Sequence, residues 1–261
     1  MDKRTVLDRL GADGEERLLL SRVWDKWQEC SRKNLPAVTV FLSPAQQMAA
    51  RRMLSAAGVQ SGYVFYGGYP GAQRCQLHFL PDWQEEPERD TIRAIRCTWY
   101  REEEVNHRDL LGSLMGLGLT REVIGDILVG EHQADVLVSA SVADFLLTGW
   151  DSAGHARLHC APLALEDVIV PEEKTKLIRD TVASLRLDSV VSSAFSLSRG
   201  RAAEAIAAGR VQLNWQECTK SDRTVGEGDV ISLRGLGKCT VESVGGQTRK
   251  GRLSISIKRY V

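Results

Sequence analysis

The chain has 261 residues, of which 43% are hydrophobic and 26% are charged, and its formal net charge is zero. This is the balance of a soluble globular protein with two or three domains. No segment approaches the roughly 18 to 20 consecutive apolar residues that a membrane span needs, and the charged start of the chain lacks the apolar region of a signal peptide. We therefore expect a soluble cytoplasmic protein without a membrane span.

The six cysteines stand far apart and form no C-x-x-C pair, which excludes a zinc ribbon and a redox pair. His155 and His159 could be taken for metal ligands. On a strand, however, residues i and i+4 lie about 13 Å apart, too far to bind one ion. We predict reduced thiols, no metal site and no cofactor.

The first part of the chain predicts a small α/β domain over residues 1–85. A helix is expected up to about Arg32 and a short strand at residues 38–42. Ser43 and Pro44 are then typical of a helix start, and Gly58 of its end. Strands at 63–66 and 74–80 would flank a glycine-rich loop, Gly67-Gly68-Tyr69-Pro70-Gly71. No G-K-(S/T) follows this loop, so we interpret it as a turn and not as a nucleotide site.

The middle part, residues 86–170, follows a predicted linker at residues 81–90 and has the element order strand, helix, strand, strand, helix, strand. The elements are expected at residues 92–99, from Asn106 onward, and at 127–129, 135–139, 142–147 and 157–161. This is the ferredoxin-like order on which RNA recognition motifs are also built. Neither 127–129 nor 135–139 contains an aromatic residue for base stacking, so we expect an RRM-like shape but not a standard reader of single strands.

A second linker is predicted at residues 162–173, and the C-terminal domain, residues 181–261, is the basic part of the chain. It holds 13 Lys and Arg against 7 Asp and Glu, or +6, which leaves −6 for residues 1–180. A basic module on an acidic body indicates a localised contact with a polyanion. Within it we predict helices at 187–195 and from Ser198 to Gly209, with strands from Val211, at 230–234 and at 249–258. Residues 174–185, which lead into it, fit either a strand or a short helix, and their β-branched residues favour the strand. The glycines at 235, 237, 245 and 246 would mark turns.

The second of these helices begins with Arg199 and Arg201, although a helix N-terminus prefers acidic residues. An anion supplied from outside, bound by helix amides and arginines together, would explain this choice. The alternative is that both arginines simply point into water. On the last strand, one face is expected to be core and the other, with Arg252 and Lys258, to meet phosphate.

Patterns for catalysis are incomplete. His107-Arg108-Asp109-Leu110 is similar to the catalytic loop of protein kinases, but Leu114 replaces the required Asn and no D-F-G follows. No Ser, His and Asp grouping and no paired carboxylates stand out. We predict that the protein is not an enzyme.

The sequence SLSRGRAAEAIAAGRVQLN, with the leading Arg186-Leu187-Asp188 and the later Gly228-Asp229-Val230-Ile231, resembles the RNA-binding domain named after ribosomal small-subunit protein four. The resemblance implies the compact α-L type fold and RNA contacts by six residues: Arg186, Ser198, Arg199, Arg201, Arg210 and Asn214. Trp215 and Gln216 stand where that family usually has a Gly. Five further basic residues are candidates from their position in this domain: Lys220, Arg234, Lys238, Arg252 and Lys258.

The whole chain resembles the YlmH family of bacterial proteins and its photosystem-associated relatives in plastids and cyanobacteria. The resemblance is carried by Phe41-Leu42-Ser43-Pro44, the Gly67-Gly68-Tyr69 loop, the stretch HRDLLGSLMGLGLTREVIGDILV and the C-terminal domain. It implies an α+β protein of three domains. Its partners would be ribosomal RNA, tRNA and the large ribosomal subunit, in ribosome-associated quality control, with a link to cell division. We expect a monomer, and the role of His107, Arg108 and Asp109 in the signature is unassigned.

Two other functions remain open at this point. RNA pseudouridine synthases carry the same RNA-binding domain beside a catalytic R-L-D-x-x-(T/S)-(T/S)-G loop, but the Arg186-Leu187-Asp188 stretch of this chain lacks the glycine. A deep pocket with a carboxylate of perturbed pKa would favour such an RNA-modifying enzyme. An interaction scaffold for cell division would instead use the acidic first 180 residues.

Overall fold

The computed structural model describes residues 2–172, 174–249 and 251–260 and shows an α+β protein that divides into two compact units, Met1–Pro171 and Glu172–Val261. The first unit holds both domains predicted for the N-terminal two thirds of the chain.

The first layer of unit one is an α/β sandwich. Its elements are α1 Lys3–Arg9, α2 Gly14–Lys33, β1 Ala37–Leu42, α3 Pro44–Ala56, β2 Tyr63–Tyr66 and β3 Cys75–Phe79. The strands form an antiparallel sheet in the order β1-β3-β2, and the helices cover one face of it with Leu20, Met53, Leu77 and Phe79 in the core. The single helix expected up to Arg32 is in fact two helices, because Gly11 and Asp13 break the pattern.

The predicted helix start at Ser43 is confirmed. Ser43 Oγ accepts a hydrogen bond from the Gln46 amide at 3.4 Å, and Gln46 Oε1 accepts one from the Ser43 amide at 2.8 Å. This reciprocal capping box, with Pro44 at the first helical position, satisfies donors that the helix leaves unpaired.

The second layer of unit one has the split βαβ arrangement. Its elements are β4 Ile92–Thr98, α4 His107–Gly116, β5 Ile124–Val129, β6 Gln133–Ser139, α5 Ala140–Gly149, β7 Ser152–Ala153, β8 Ala156–Arg157 and β9 His159–Leu163. The antiparallel sheet order β5-β6-β4-β9 is the one expected for a ferredoxin-like domain. The strand expected at 157–161 is shifted, because β7 and β8 first form a small separate hairpin. Part of the predicted linker at 162–173 is also structured: Pro162 and Leu163 belong to β9, while residue 173 lies outside the described residues.

The two layers meet sheet against sheet. In β4, Ile95 and Cys97 face α4 and α5, whereas Ile92 and Ala94 point the other way, as successive strand residues must. That second face packs against Phe41, which is 1% exposed. A continuous apolar contact therefore joins the sheet of the first layer to that of the second.

The contact is close enough to require glycine. A Cβ on Gly125 would lie 2.8 Å from the Phe41 ring, and a Cβ on Gly68 would lie 3.1 Å from the Leu137 side chain. Within the loop itself, a Cβ on Gly67 would lie 2.5 Å from the carbonyl oxygen of Arg74. The Gly67-Gly68-Tyr69 loop is thus part of the joint between the layers. Tyr69 closes it by donating from its hydroxyl to Asp126 at 2.7 Å.

Unit two is a six-stranded antiparallel sheet with two helices on one face. Its elements are β10 Thr175–Val182, α6 Leu187–Phe195, α7 Arg199–Ala207, β11 Val211–Leu213, β12 Gln216–Glu217, β13 Val230–Leu233, β14 Gly237–Gln247 and β15 Leu253–Tyr260, with strand order β10-β15-β14-β13-β11-β12. Both predicted helices are confirmed. The strand expected at 249–258 begins only at Leu253, and residue 250 lies outside the described residues. Gly245 and Gly246, expected in a turn, lie inside β14 where its register with β15 shifts.

Replacing Gly67 by Ala should lower the free energy of unfolding by about 1–3 kcal/mol, because the new methyl group meets a backbone oxygen that cannot move independently. Urea unfolding followed by circular dichroism measures this. Gly112→Ala is the matched control, since nothing lies within 4 Å of that position in α4. The control should be neutral or stabilising by up to about 1 kcal/mol. Equal stability of Gly67→Ala and the parent protein would contradict the proposed close contact.

Candidate nucleic-acid interface

A single carboxylate organises the predicted arginines of unit two. Asp188 lies in the first turn of α6 with its side chain 9% exposed. It accepts hydrogen bonds from Arg186 through Nε and Nη2, both at 3.2 Å, and from Arg199 Nη2 at 3.1 Å. Ser189 Oγ adds a bond at 3.2 Å. The start of α6 and the start of α7 are thereby tied together.

Burial would by itself raise the pKa of Asp188, but the hydrogen bonds from Arg186 and Arg199 outweigh it, and the pKa lies below its ordinary value of 3.8. Asp188 is therefore ionised at neutral pH. Two guanidinium groups share one negative charge, so the group keeps a net charge of about +1. The guanidinium side chains are 42% and 57% exposed, which leaves them accessible to an anion.

Arg201 stands apart from this group. It follows Arg199 by two residues, which places the two side chains roughly 200° apart around the axis of α7. Arg201 is exposed and, among the described residues, has no acidic partner. The Ser198 hydroxyl caps this helix by accepting from the Arg201 amide at 3.3 Å. The predicted pair of arginines therefore presents positive charge in two directions.

The amides at the start of α6 are already used by the protein. Leu187 N donates to the Arg223 carbonyl at 2.8 Å, and Asp188 N donates to the Ser221 carbonyl at 3.1 Å. These acceptors belong to the loop that also carries the exposed Lys220. These two amides of α6 are therefore not free to bind an external anion. At α7, where the sequence predicts an anion, the Arg201 amide donates to the Ser198 hydroxyl.

Asn214 has a structural position. Its Nδ2 donates to Asp229 Oδ1 at 2.7 Å, and its Oδ1 accepts from the Val230 amide at 2.9 Å. Asn214 and Trp215 have φ of 51° and 61°, so the β11–β12 turn uses the left-handed region at both positions. Trp215 adopts a left-handed backbone conformation that glycine usually adopts. Asn214 holds this turn against β13.

Three other predicted residues, Arg210, Arg234 and Lys238, lie together where β11 and β14 begin and β13 ends. Arg210 Nη2 donates to the Arg234 carbonyl at 3.2 Å, and Lys238 lines the same groove of about 380 Å³. The Lys238 ammonium lies 4.2 Å from the centre of the Tyr260 ring, and that of Lys258 lies 5.5 Å from it. This second basic group is on the sheet face opposite α6 and α7.

Arg252 lies near the group formed by Arg186, Asp188 and Arg199, because Arg252 and Arg199 line the same polar cavity of about 450 Å³. Its guanidinium donates to the Thr181 hydroxyl at 3.0 Å and also to the Thr181 carbonyl. Arg199 and Arg252 both line the cavity, together with the hydroxyl-bearing Ser192 and Ser193. The structure thus brings the predicted residues into two basic groups and not into one continuous patch.

In unit one, the signature residues His107, Arg108 and Asp109 open α4. Asp109 Oδ2 accepts from the Asn106 amide at 3.0 Å, while Asn106 Oδ1 accepts from the Arg108 amide at 2.8 Å. The pKa of His107 lies below its ordinary value because its ring is partly desolvated and because Arg121 adds positive charge nearby. Asp109 therefore caps a helix, which accounts for one of the three signature residues.

The sheet face with which an RNA recognition motif stacks bases is covered here. Its central positions on β4 and β6 hold Ala94 and Leu137, packed under Phe41. Farther along, Arg96 forms a bidentate pair with Asp135 at 2.7 and 2.8 Å, and Asp135 also accepts from the Ile169 amide at 2.8 Å. The absence of aromatic residues noted in the sequence follows from this burial.

Comparison with known proteins identifies domains in both units of the chain. Residues 100–167 match the family described as "Putative RNA-binding domain in YlmH", and residues 185–231 match the S4 domain. The chain is 34% identical over 224 residues to "Ribosome-associated protein quality control protein P2" of Bacillus subtilis (strain 168), covering 85% of this chain and 86% of that protein. The chain belongs to the YlmH family.

A solved YlmH structure shares the fold. "Cell division protein ylmH from Streptococcus pneumoniae" is 17% identical, with a TM-score of 0.51 over 60% of this chain and 97% of that one. The YlmH family assignment confirms the resemblance found in the sequence, and the S4 match confirms the predicted type of the C-terminal domain. Within the described residues, no helix could span a membrane and no three potential ligands gather as a metal site.

Sequence reasoning missed two residues of this YlmH-type interface. Asp188 was noted only as part of a motif, although it is the acid that holds two of the arginines. Arg179 of β10 lies opposite Ser256 on the same sheet face as Lys258, is exposed and has no acidic partner among the described residues. Leu177, Arg179 and Thr181 are alternate residues of one predicted strand and therefore share a sheet face, and this spacing could have identified Arg179.

Replacing Asp188 by Asn should lower the stability at pH 7 by about 1–2 kcal/mol, because the arginines lose a charged acceptor. The folded-state pKa is depressed, so this stabilisation is fully present above pH 3.8 and is lost as the pH falls through the lower folded value. Urea unfolding at several pH values measures the difference between variant and parent. Glu242→Gln, at an exposed position of β14 in the same unit, is the control. A difference that does not shrink in acid would contradict the ion-pair explanation.

Replacing Asn214 by Ala should lower the stability by about 1–3 kcal/mol, since two buried hydrogen bonds and a residue suited to positive φ are lost. The RNA affinity of the folded protein should stay within about twofold, because Asn214 is already bonded to Asp229 and Val230. Thr219→Ala, at an exposed loop position, provides the comparison. A large loss of affinity with unchanged stability would instead assign Asn214 to direct RNA contact.

Proposed function

We propose that this protein is a non-catalytic RNA-binding factor that docks on ribosomal RNA and tRNA in the cytoplasm and assists quality control on obstructed large ribosomal subunits. The observation that carries the proposal is the surplus of positive charge at the start of α6 and α7. Arg186 and Arg199 share one carboxylate, and Arg201 has no acidic partner in the described part of the chain. Phosphate oxygens would complete this arrangement.

A role at the ribosome is supported by sequence similarity to a relative. The Bacillus subtilis relative is named for ribosome-associated quality control, and it aligns with 85% of this chain. The matched S4 region ends at residue 231, whereas Arg234, Lys238, Arg252 and Lys258 follow it. These four residues would extend the RNA footprint onto β14, β15 and the β13–β14 turn, beyond the matched S4 region.

The middle domain would contact RNA through a surface other than the sheet face that RNA recognition motifs use. Its sheet face is covered by the first layer, but the end of the sheet with Thr98, Gln133 and His159 lies beyond that cover. Next to it, Tyr100 is 61% exposed, with its ring 6.1 Å from that of His159. An exposed pair of rings is suited to stacking on an unpaired base.

No observation favours the enzymatic alternative. RNA modification would need a deep pocket lined by a carboxylate of perturbed pKa. Within residues 2–172, 174–249 and 251–260, the carboxylates with a shifted pKa are Asp2, Glu29 and Asp188, and each is already engaged by hydrogen bonds within the protein that lower its pKa. The scaffold alternative likewise gains nothing from the streptococcal structure, because a likeness at 17% identity concerns the fold.

Replacing Arg201 by Ala should weaken binding to purified large ribosomal subunits and to a tRNA transcript, and should reduce the slope of log K against log salt by about one. Fluorescence anisotropy at several salt concentrations measures both quantities. Arg32→Ala, an exposed arginine at the end of α2, removes the same charge from unit one and should leave the slope unchanged. If Arg201→Ala binds as the parent protein does at every salt concentration, the proposed interface is wrong.

A further inference from the structure

Two cysteines of the middle domain lie directly opposite each other in its sheet. Cys97 of β4 and Cys160 of β9 are register partners in the antiparallel pair, and their sulfur atoms lie 2.9 Å apart. They are 63 residues apart in sequence, so no C-x-x-C spacing indicates the pair. The fold therefore brings together two thiols that are distant along the chain.

The backbone geometry of this pair fits a disulfide. Directly opposed residues of antiparallel strands have Cα atoms about 4.5 or 5.5 Å apart, and disulfides span Cα distances of about 4.4–6.8 Å. The distance between the two free sulfurs exceeds the roughly 2.05 Å of a disulfide bond by less than about 1 Å. Rotation of the two side chains would therefore be enough to bring the sulfurs into bonding distance.

The two thiols differ in exposure. Cys97 is 0% exposed on β4, a central strand, whereas Cys160 is half-buried on β9, which is the edge strand of the sheet order β5-β6-β4-β9. Both side chains pack on the same apolar core of the middle domain. A small uncharged oxidant would therefore reach Cys160 first, while Cys97 is shielded from solvent.

The contact between the thiols favours reaction at Cys160. A hydrogen bond from Cys97 lowers the pKa of Cys160, against the opposing effects of burial and of the Asp151 carboxylate nearby. The same hydrogen bond, together with burial, raises the pKa of Cys97. Because the thiolate is the form that reacts with oxidants, the more exposed of the two sulfurs is also the more reactive one.

From this geometry we propose that Cys97 and Cys160 form a reversible disulfide when the protein meets a hydroperoxide. The Cys160 thiolate attacks the peroxide, so that an S–O bond forms, the O–O bond breaks and hydroxide leaves. The Cys97 thiol then attacks the Cys160 sulfur: the S–S bond forms, the S–O bond breaks, and the oxygen leaves as water with the proton of Cys97. Two thiols are oxidised and one peroxide is reduced. Exchange with a small-molecule thiol, which is oxidised in turn, restores the pair.

The disulfide would fix the edge strand to β4 beside an exposed pair of rings. The next pair in register is Thr98 and His159, and the His159 ring lies 6.1 Å from that of Tyr100. In reducing compartments, disulfides of this kind are usually transient and are typical of redox sensing. The oxidised site would form whether or not these rings contact RNA.

The test is peptide mapping of the full-length protein after treatment with hydrogen peroxide. Remaining thiols are blocked with iodoacetamide, and the protein is cleaved with trypsin without a reducing agent. Cys97 lies on the tryptic peptide 97–101 and Cys160 on 158–174, so the disulfide joins two peptides that are otherwise separate. The joined peptide should appear in mass spectra after peroxide treatment and disappear after dithiothreitol.

Variants separate the roles of the two sulfurs. Cys97→Ala should lose the joined peptide and leave a sulfenic acid on Cys160, which dimedone traps. Cys160→Ala should lose the joined peptide and leave Cys97 unlabelled by dimedone. Cys218→Ala is the matched control, since Cys218 is also half-buried but its thiol donates to the Lys220 carbonyl at 3.7 Å. This control should form the joined peptide as readily as the parent protein.

Two results with the parent protein would overturn the proposal without any variant. One is oxidation of Cys218 by peroxide with no joined peptide of 97–101 and 158–174. The other is a joined peptide found only in a covalent dimer on a non-reducing gel, because the bond would then connect two copies of the chain. Dimedone labelling of Cys97 in the Cys160→Ala variant would contradict the assignment of Cys160 as the sulfur that peroxide attacks.

Discussion

The Asp188 carboxylate is the contact on which the C-terminal interface depends. Without an acid at this position, Arg186 and Arg199 would repel each other, and their long side chains would have no fixed direction. A nearly buried carboxylate orients both guanidinium groups and still neutralises only one of them. The remaining charge is available to a polyanion, and the order imposed by Asp188 reduces the entropy that binding has to remove. In the proposed interface, stability and recognition thus draw on the same three side chains.

In the N-terminal unit, the parts of the sequence that look most like active-site motifs have a structural role. The glycine loop, Tyr69 and Asp126 join two layers, and Asp126 also accepts from the amides of Gln73 and Arg74 at 2.7 and 3.0 Å. Arg74 reaches the carbonyls of Ile124 and Arg121 at 2.8 and 2.7 Å, and burial lowers its pKa to about 10. Because this joint covers the sheet of the RRM-like domain, the usual RNA-recognition surface is replaced by a packing interface.

Local patterns predicted most of the elements because their causes are local. Ser43 with Pro44, Asn106 with Asp109 and Ser198 each begin a helix through bonds within one turn. The register shifts of β14 depend on tertiary packing, and the turn predicted at Gly245 and Gly246 was wrong. The single helix predicted up to Arg32 was also wrong, although its division has a local cause in Gly11 and Asp13. The basic residues were identified from composition and family resemblance, but their separation into two groups depends on which sheet face each strand residue occupies. The cover over the middle sheet has no sequence signature.

The arrangement at α7 shows why the interface is best explained by function. A basic residue in the first turn opposes the helix dipole, and an acidic residue there would be worth about 0.3–1 kcal/mol. Arg199 recovers part of this loss by bonding to Asp188, but Arg201 has no such partner in the described residues. Trp215, in a conformation that usually favours glycine, is a second local departure in the same unit. Departures of this kind persist where binding compensates for them, and of the two only Arg201 offers a charge that phosphate could neutralise.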